Sequence, residues 1–101
     1  MNKIKIGKRN YKVKTARIAR KMASYCDIKK KEITIHHKAT RAYHRHLLHE
    51  ILHGIFAEYL PDFLTDDEEE KVVSAIEKGI QHFATNESNQ VEWVRLCIGL
   101  M

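Results

Sequence analysis

Lysine and isoleucine alternate at the start of the chain, Lys3-Ile4-Lys5-Ile6, and the alternation returns at Tyr11-Lys12-Val13-Lys14. Strand side chains point to opposite faces with a period of two. The pattern therefore predicts a β-hairpin turning over Gly7 to Asn10, with Ile4, Ile6, Tyr11 and Val13 facing inward. A third strand is expected over Lys31 to His36, where Ile33 and Ile35 share one face. Between these segments, Thr15 to Tyr25 reads two ways: Ile18 and Met22 have the spacing of a short helix, and an irregular connection fits as well.

The apolar period then lengthens. Leu47, Leu48, Ile51, Leu52, Ile55, Phe56, Tyr59 and Leu60 form a broad stripe on a helix expected from about Thr40 to Leu60, which Pro61 ends. Thr65-Asp66-Asp67-Glu68 has the form of a capping box, with acids in the first turn where the helix dipole favours them. A second helix is expected from Asp66 to about Thr85, burying Val72, Val73, Ile76, Ile80 and Phe83. The link from Pro61 to Thr65 is short, so the two helices fold back as an αα-hairpin. Val91 to Leu100 predicts a short apolar helix or tail packing on the core around Trp93. The expected fold is α+β: a small antiparallel sheet, made of the hairpin plus one strand, packed on the αα-hairpin in a single domain over residues 1–101.

Composition narrows the setting. No apolar run approaches bilayer length, and the charged N-terminus lacks the apolar core of a signal peptide. A cytoplasmic protein with no membrane partner is expected. Cys26 and Cys97 form no C-x-x-C pair and read as free thiols in a reducing compartment. Charge is unevenly placed: residues 1–50 hold 15 of the 18 Lys+Arg with three acids, and residues 51–101 hold three basic residues with ten acids. Such asymmetry fits either two halves that complement each other or a basic surface for nucleic acid.

The chemistry sits in the helix. His49-Glu50-Ile51-Leu52-His53 spells H-E-x-x-H, which on a helix puts two imidazoles one turn apart on the same face. They can share a metal ion, with Glu50 beside them to act as general base on a water, the zincin arrangement. Zinc needs a third protein ligand, and the second helix opens with acids from Asp66 to Glu70. By helical rotation, Glu70 flanks the apolar stripe at a position suited to a groove between helices. Glu69 points nearer the stripe's centre and is the second choice, with Glu77 a third. His46 lies about 10.5 Å along the axis from His53, too far to share the ion.

The order of features, a hairpin, the strand Ile33-Thr34-Ile35, Leu47-Leu48 leading into His49-Glu50-Ile51-Leu52-His53-Gly54, then Glu69-Glu70-Lys71-Val72-Val73, resembles the small phage-type metallopeptidase-like proteins. More loosely it resembles the ImmA/IrrE-type and SprT-like peptidases, all minimal gluzincins. The resemblance covers roughly residues 4–86. It implies a zinc peptidase with ligands His49, His53 and Glu70 and Glu50 as general base, acting on a peptide or protein substrate. The basic, histidine-rich approach from Arg41 to His46 departs from the pattern. His82, Tyr59 and Tyr43 are candidate oxyanion donors, and the strand Ile33 to His36 is expected to offer an edge for an extended peptide. Other readings are a non-catalytic metal-stabilised module, a nucleic-acid-binding protein using the basic half, and a peptidase acting on DNA-bound proteins.

Overall fold

The first alternating segments pair with each other. In the computed structural model, which describes residues 3–17, 24–36 and 42–100, β1 (Lys3–Ile6) and β2 (Arg9–Ala16) form an antiparallel hairpin with Ile4 opposite Tyr11. The turn is tighter than expected. Ile6 pairs with Arg9, leaving Gly7 and Lys8 as a two-residue loop. Gly7 has φ +61°, a left-handed conformation that glycine adopts without a Cβ clash and that such loops require. Arg9 and Asn10 belong to the strand.

The sheet corrects the expected topology. Ser24–Asp27 forms a strand, β3, that the alternation did not mark, and β4 is Glu32–His36. The strand order is β1-β2-β4-β3, with β2 parallel to β4 and β3 antiparallel to it. The sheet is mixed and four-stranded, rather than antiparallel and three-stranded. A parallel pair needs a crossover, and here the chain between β2 and β4 supplies the edge strand. β4 is therefore flanked on both sides, and the open edge expected at Ile33 to His36 lies instead on β3. The short helix considered around Ile18 and Met22 lies outside the described residues.

Register sorts the side chains. Ile4, Ile6, Tyr11, Val13, Ile33 and Ile35 share one face, and all but the half-buried Ile4 form the buried core. Helix α1 (Tyr43–Tyr59) lies on this face through Tyr43, Leu47 and Ile51. Residues 37–41, including the expected helix start at Thr40, lie outside the described set. Closest approach falls at Gly54, where an added Cβ would stand 2.6 Å from Ile6 Cδ1. Near the helix end, Glu58 accepts hydrogen bonds from Tyr11 Oη at 2.6 Å and Lys31 Nζ at 3.1 Å, tying α1 to the turn before β4. The expected stripe is narrower than the sequence suggested. Ile55, Tyr59 and Leu60 are exposed.

Helix α2 (Asp66–Thr85) starts at the expected capping box: Thr65 Oγ1 accepts from the Glu68 N–H, and Glu68 accepts from the Thr65 N–H. Such a cap contributes about 1 kcal/mol. Pro61 and left-handed Asp62 (φ +58°) turn the chain so that α2 packs back on α1. Val73 is fully buried there, whereas Ile76 and Phe83, expected inward, are exposed. A 3-10 turn (Glu87–Asn89) leads into α3 (Gln90–Gly99). This helix packs on α2, with Trp93 edge-on to Phe83 at 6.2 Å, and not on the sheet core as expected. Among the described residues, no helix is long and apolar enough to cross a membrane.

Candidate metal centre

His49 and His53 stand one turn apart on the flank of α1 that α2 covers, their ring centroids 5.0 Å apart. Glu70, in the second turn of α2, faces both. Its carboxylate lies 3.0 Å from His49 Nε2 and 3.4 Å from His53 Nε2. The other ring nitrogens are held from outside: His49 Nδ1 by Glu77 Oε1 at 2.8 Å, and His53 Nδ1 by Glu69 Oε2 at 2.7 Å.

Each imidazole is thus wedged between two carboxylates. A neutral imidazole has one N–H, and donating it outward from Nδ1 turns the Nε2 lone pair towards Glu70. Lone pair and carboxylate repel unless a proton or a metal cation lies between them. With a proton there, burial pulls the His49 pKa down, but the hydrogen bonds to Glu77 and Glu70 outweigh it and the net shift is upward. The surroundings favour positive charge throughout. Glu50, Glu69, Glu70 and Glu77 crowd the two rings, and among the described residues the one Lys or Arg paired with them is Arg45, 3.8 Å from Glu77.

The donor set fits zinc. Ligands at about 2.05 Å in tetrahedral directions stand roughly 3.4 Å from one another. The Nε2–carboxylate separations of 3.0 and 3.4 Å lie near that value. One donor atom from each of His49, His53 and Glu70 falls within 4.8 Å of the others. Two imidazoles and one carboxylate leave a fourth position open, as a catalytic zinc site requires. Glu69 and Glu77, the other ligand candidates, occupy the outer positions that fix imidazole tautomer and orientation. Helical rotation accounts for this division: Glu69 is 27% exposed in its side chain and Glu70 is 55% exposed.

Glu50, beside the two histidines, is 5% exposed and reaches the start of β3. Ser24 Oγ donates a 2.6 Å hydrogen bond to Oε2. Burial raises the Glu50 pKa, and the Ser24 bond and the two histidines pull it part of the way back. Ser24, Glu50 and Glu70 lie between two clefts and line both. The larger, about 810 Å3, is bordered by Arg45, His46, Lys78 and His82. The smaller, about 330 Å3, is bordered by Tyr25, Cys26, Ile28 and His53. β3, the outermost strand beside β4 among the described residues, borders them. Of the oxyanion candidates, His82 is on the larger cleft, Tyr43 packs on the sheet core, and Tyr59 lies at the far end of α1 beside Gly7. Sequence reasoning missed Ser24, whose only local signal is a serine in a segment without clear period.

Comparison with family models, with curated proteins and with solved structures finds no match to this chain.

Proposed function

We propose that this chain is a zinc-dependent peptidase. The observation that carries the reading is the convergence of the His49 and His53 Nε2 atoms on the Glu70 carboxylate, with both rings locked from behind by acids. A surface cluster of histidines has no need of such outer support, whereas a metal site does. The resemblance of His49 to Gly54 to the minimal gluzincin motif supports the same reading.

Zinc bound there would supply a Lewis acid that brings the pKa of a water towards about 7 and polarises the scissile carbonyl. The protein's own groups do the rest. Glu50, with its pKa raised by burial, takes the proton of the attacking water and passes it to the leaving amine nitrogen. His82 is the cleft-side group suited to donate to the developing oxyanion. An extended peptide would add along the outer edge of β3, its backbone pairing as a fifth strand.

The test is hydrolysis of a denatured, fluorescently labelled casein by zinc-loaded wild type and by Glu50→Gln. Wild type is expected to cleave it, and the variant to lose at least about 100-fold in rate with zinc still bound. Full cleavage by Glu50→Gln would overturn the mechanism. Zinc binding without cleavage by wild type would leave a metal-stabilised module in place of an enzyme.

A further inference from the structure

We propose that the face of the sheet turned away from the metal centre binds the phosphate backbone of duplex DNA, independently of the metal. The core and α1 occupy one face of the sheet. By register the opposite face carries Lys3, Lys5, Lys12 and Lys14 on the two strands β1 and β2, with Lys3 directly across from Lys12. Neighbouring strands lie about 4.8 Å apart, and alternate residues repeat every 6.7 Å or so along a strand. Four lysines therefore share a patch about 13 Å long and two strands wide.

Three of these four charges are not spent on acids among the described residues. Lys14 pairs with Glu32 at 3.2 Å. Lys3, Lys5 and Lys12 have no acidic partner among the described residues, and all three are exposed. Of the acids of this face, Glu32 on β4 stands level with Lys12 and is paired with Lys14, and Asp27 lies beyond it on β3. Lys29 and Lys30, in the turn between those strands, extend the basic surface beyond them.

The chemistry of the patch selects its partner. Flexible lysines act as point charges for phosphate and carry no base specificity. A single-stranded nucleic acid would call for aromatic side chains on which bases stack. Here, among the described residues, the rings on the face are Tyr25, on the far strand beside Thr34, and His36 at the end of β4, neither of them on β1 or β2. Stable membrane anchoring takes inserted apolar groups or a lipid besides basic charge, and this face of β1 and β2 offers lysines and Asn10. A duplex, with one negative charge per about 1.7 Å of axis, matches dense unpaired lysines.

The experiment is fluorescence anisotropy of a labelled 30-base-pair duplex titrated with the full chain at 25 to 200 mM salt. Wild type is expected to bind with a log–log salt slope of about −3 to −4, as four phosphate contacts imply. The variant K3Q/K5Q/K12Q, with an unchanged melting curve, should weaken binding at 50 mM salt at least tenfold and bring the slope to about −1. K71Q/R95Q, which removes two positive charges elsewhere, should change affinity less than twofold. Absence of binding by wild type at 25 mM salt, or equal loss in the two variants, overturns the proposal. So does tighter binding to the single strand, to poly-glutamate or to phosphatidylserine vesicles, or a lysine-dependent self-association without DNA binding.

Discussion

Ser24 Oγ, at the start of the edge strand β3, stands 2.6 Å from Glu50 Oε2 on α1 and donates a hydrogen bond to it. The strand that borders the cleft is thereby joined to the carboxylate proposed as general base. The bond favours the ionised form, against the burial that raises the Glu50 pKa. Removing it in Ser24→Ala shifts the Glu50 pKa further up, so the acid limb of the kcat/KM profile moves to higher pH. A hydrogen bond to a charged group is worth about 1.5 kcal/mol, or roughly tenfold. On the acid limb activity should fall by up to about that factor, with activity on the plateau within about twofold of wild type. An acid limb that stays in place would separate Ser24 from the function of Glu50.

The outer acids yield a graded prediction. Glu69→Gln and Glu77→Gln each remove the carboxylate that holds one Nδ1 and should weaken zinc binding about 10- to 100-fold in competition with a chelator. Glu70→Gln removes a ligand and should weaken it more than either. Equal effects at Glu69 and Glu70 would mean that the two acids share the ligand role.

These assignments were legible in the sequence to different depths. The capping box at Thr65 and the spacing of His49 and His53 are local features, set by a few residues and the helix itself, and both are present in the fold. Glu70 and Glu77 are seven residues apart, two helical turns, so their common face was readable; which acid meets Nε2 and which meets Nδ1 depends on how α2 settles on α1. The edge strand was not readable. Ser24, Tyr25, Cys26 and Asp27 place a serine and a cysteine inward and a tyrosine outward, so hydropathy gives no alternation. The strand exists because β4 offers it a partner. The parallel pairing of β2 and β4 is equally non-local, and so is the placement of α3 on α2 in place of the sheet.

A buried hydroxyl offers a test of the sheet itself. Thr34 is 1% exposed, and its Oγ1 has no hydrogen-bond partner among the described residues. Thr34→Val keeps the shape and the β-branch while removing the unsatisfied group, so it should stabilise the fold by about 1 kcal/mol in urea denaturation. A destabilised variant would mean that the hydroxyl is satisfied in solution.

The two cysteines should differ in reactivity. Burial, with the carboxylates of Glu50, Asp27 and Glu69 nearby, pushes the Cys26 thiol up to about 12. Cys97 is exposed on α3. At pH 8, iodoacetamide should modify Cys97 and leave Cys26 at least about 100-fold slower by peptide mass mapping, because the thiolate is the reactive form. Comparable rates would place Cys26 in a more open environment than the fold gives it.

The central claim is that one ion is held jointly by α1 and α2, and metal content tests it most directly. Purified wild type, His49→Ala and Glu70→Ala, each dialysed against trace zinc and measured by elemental analysis, should carry about one equivalent per chain in wild type and near none in the two variants. A wild type without zinc, or a Glu70→Ala variant that keeps its full equivalent, would contradict the account.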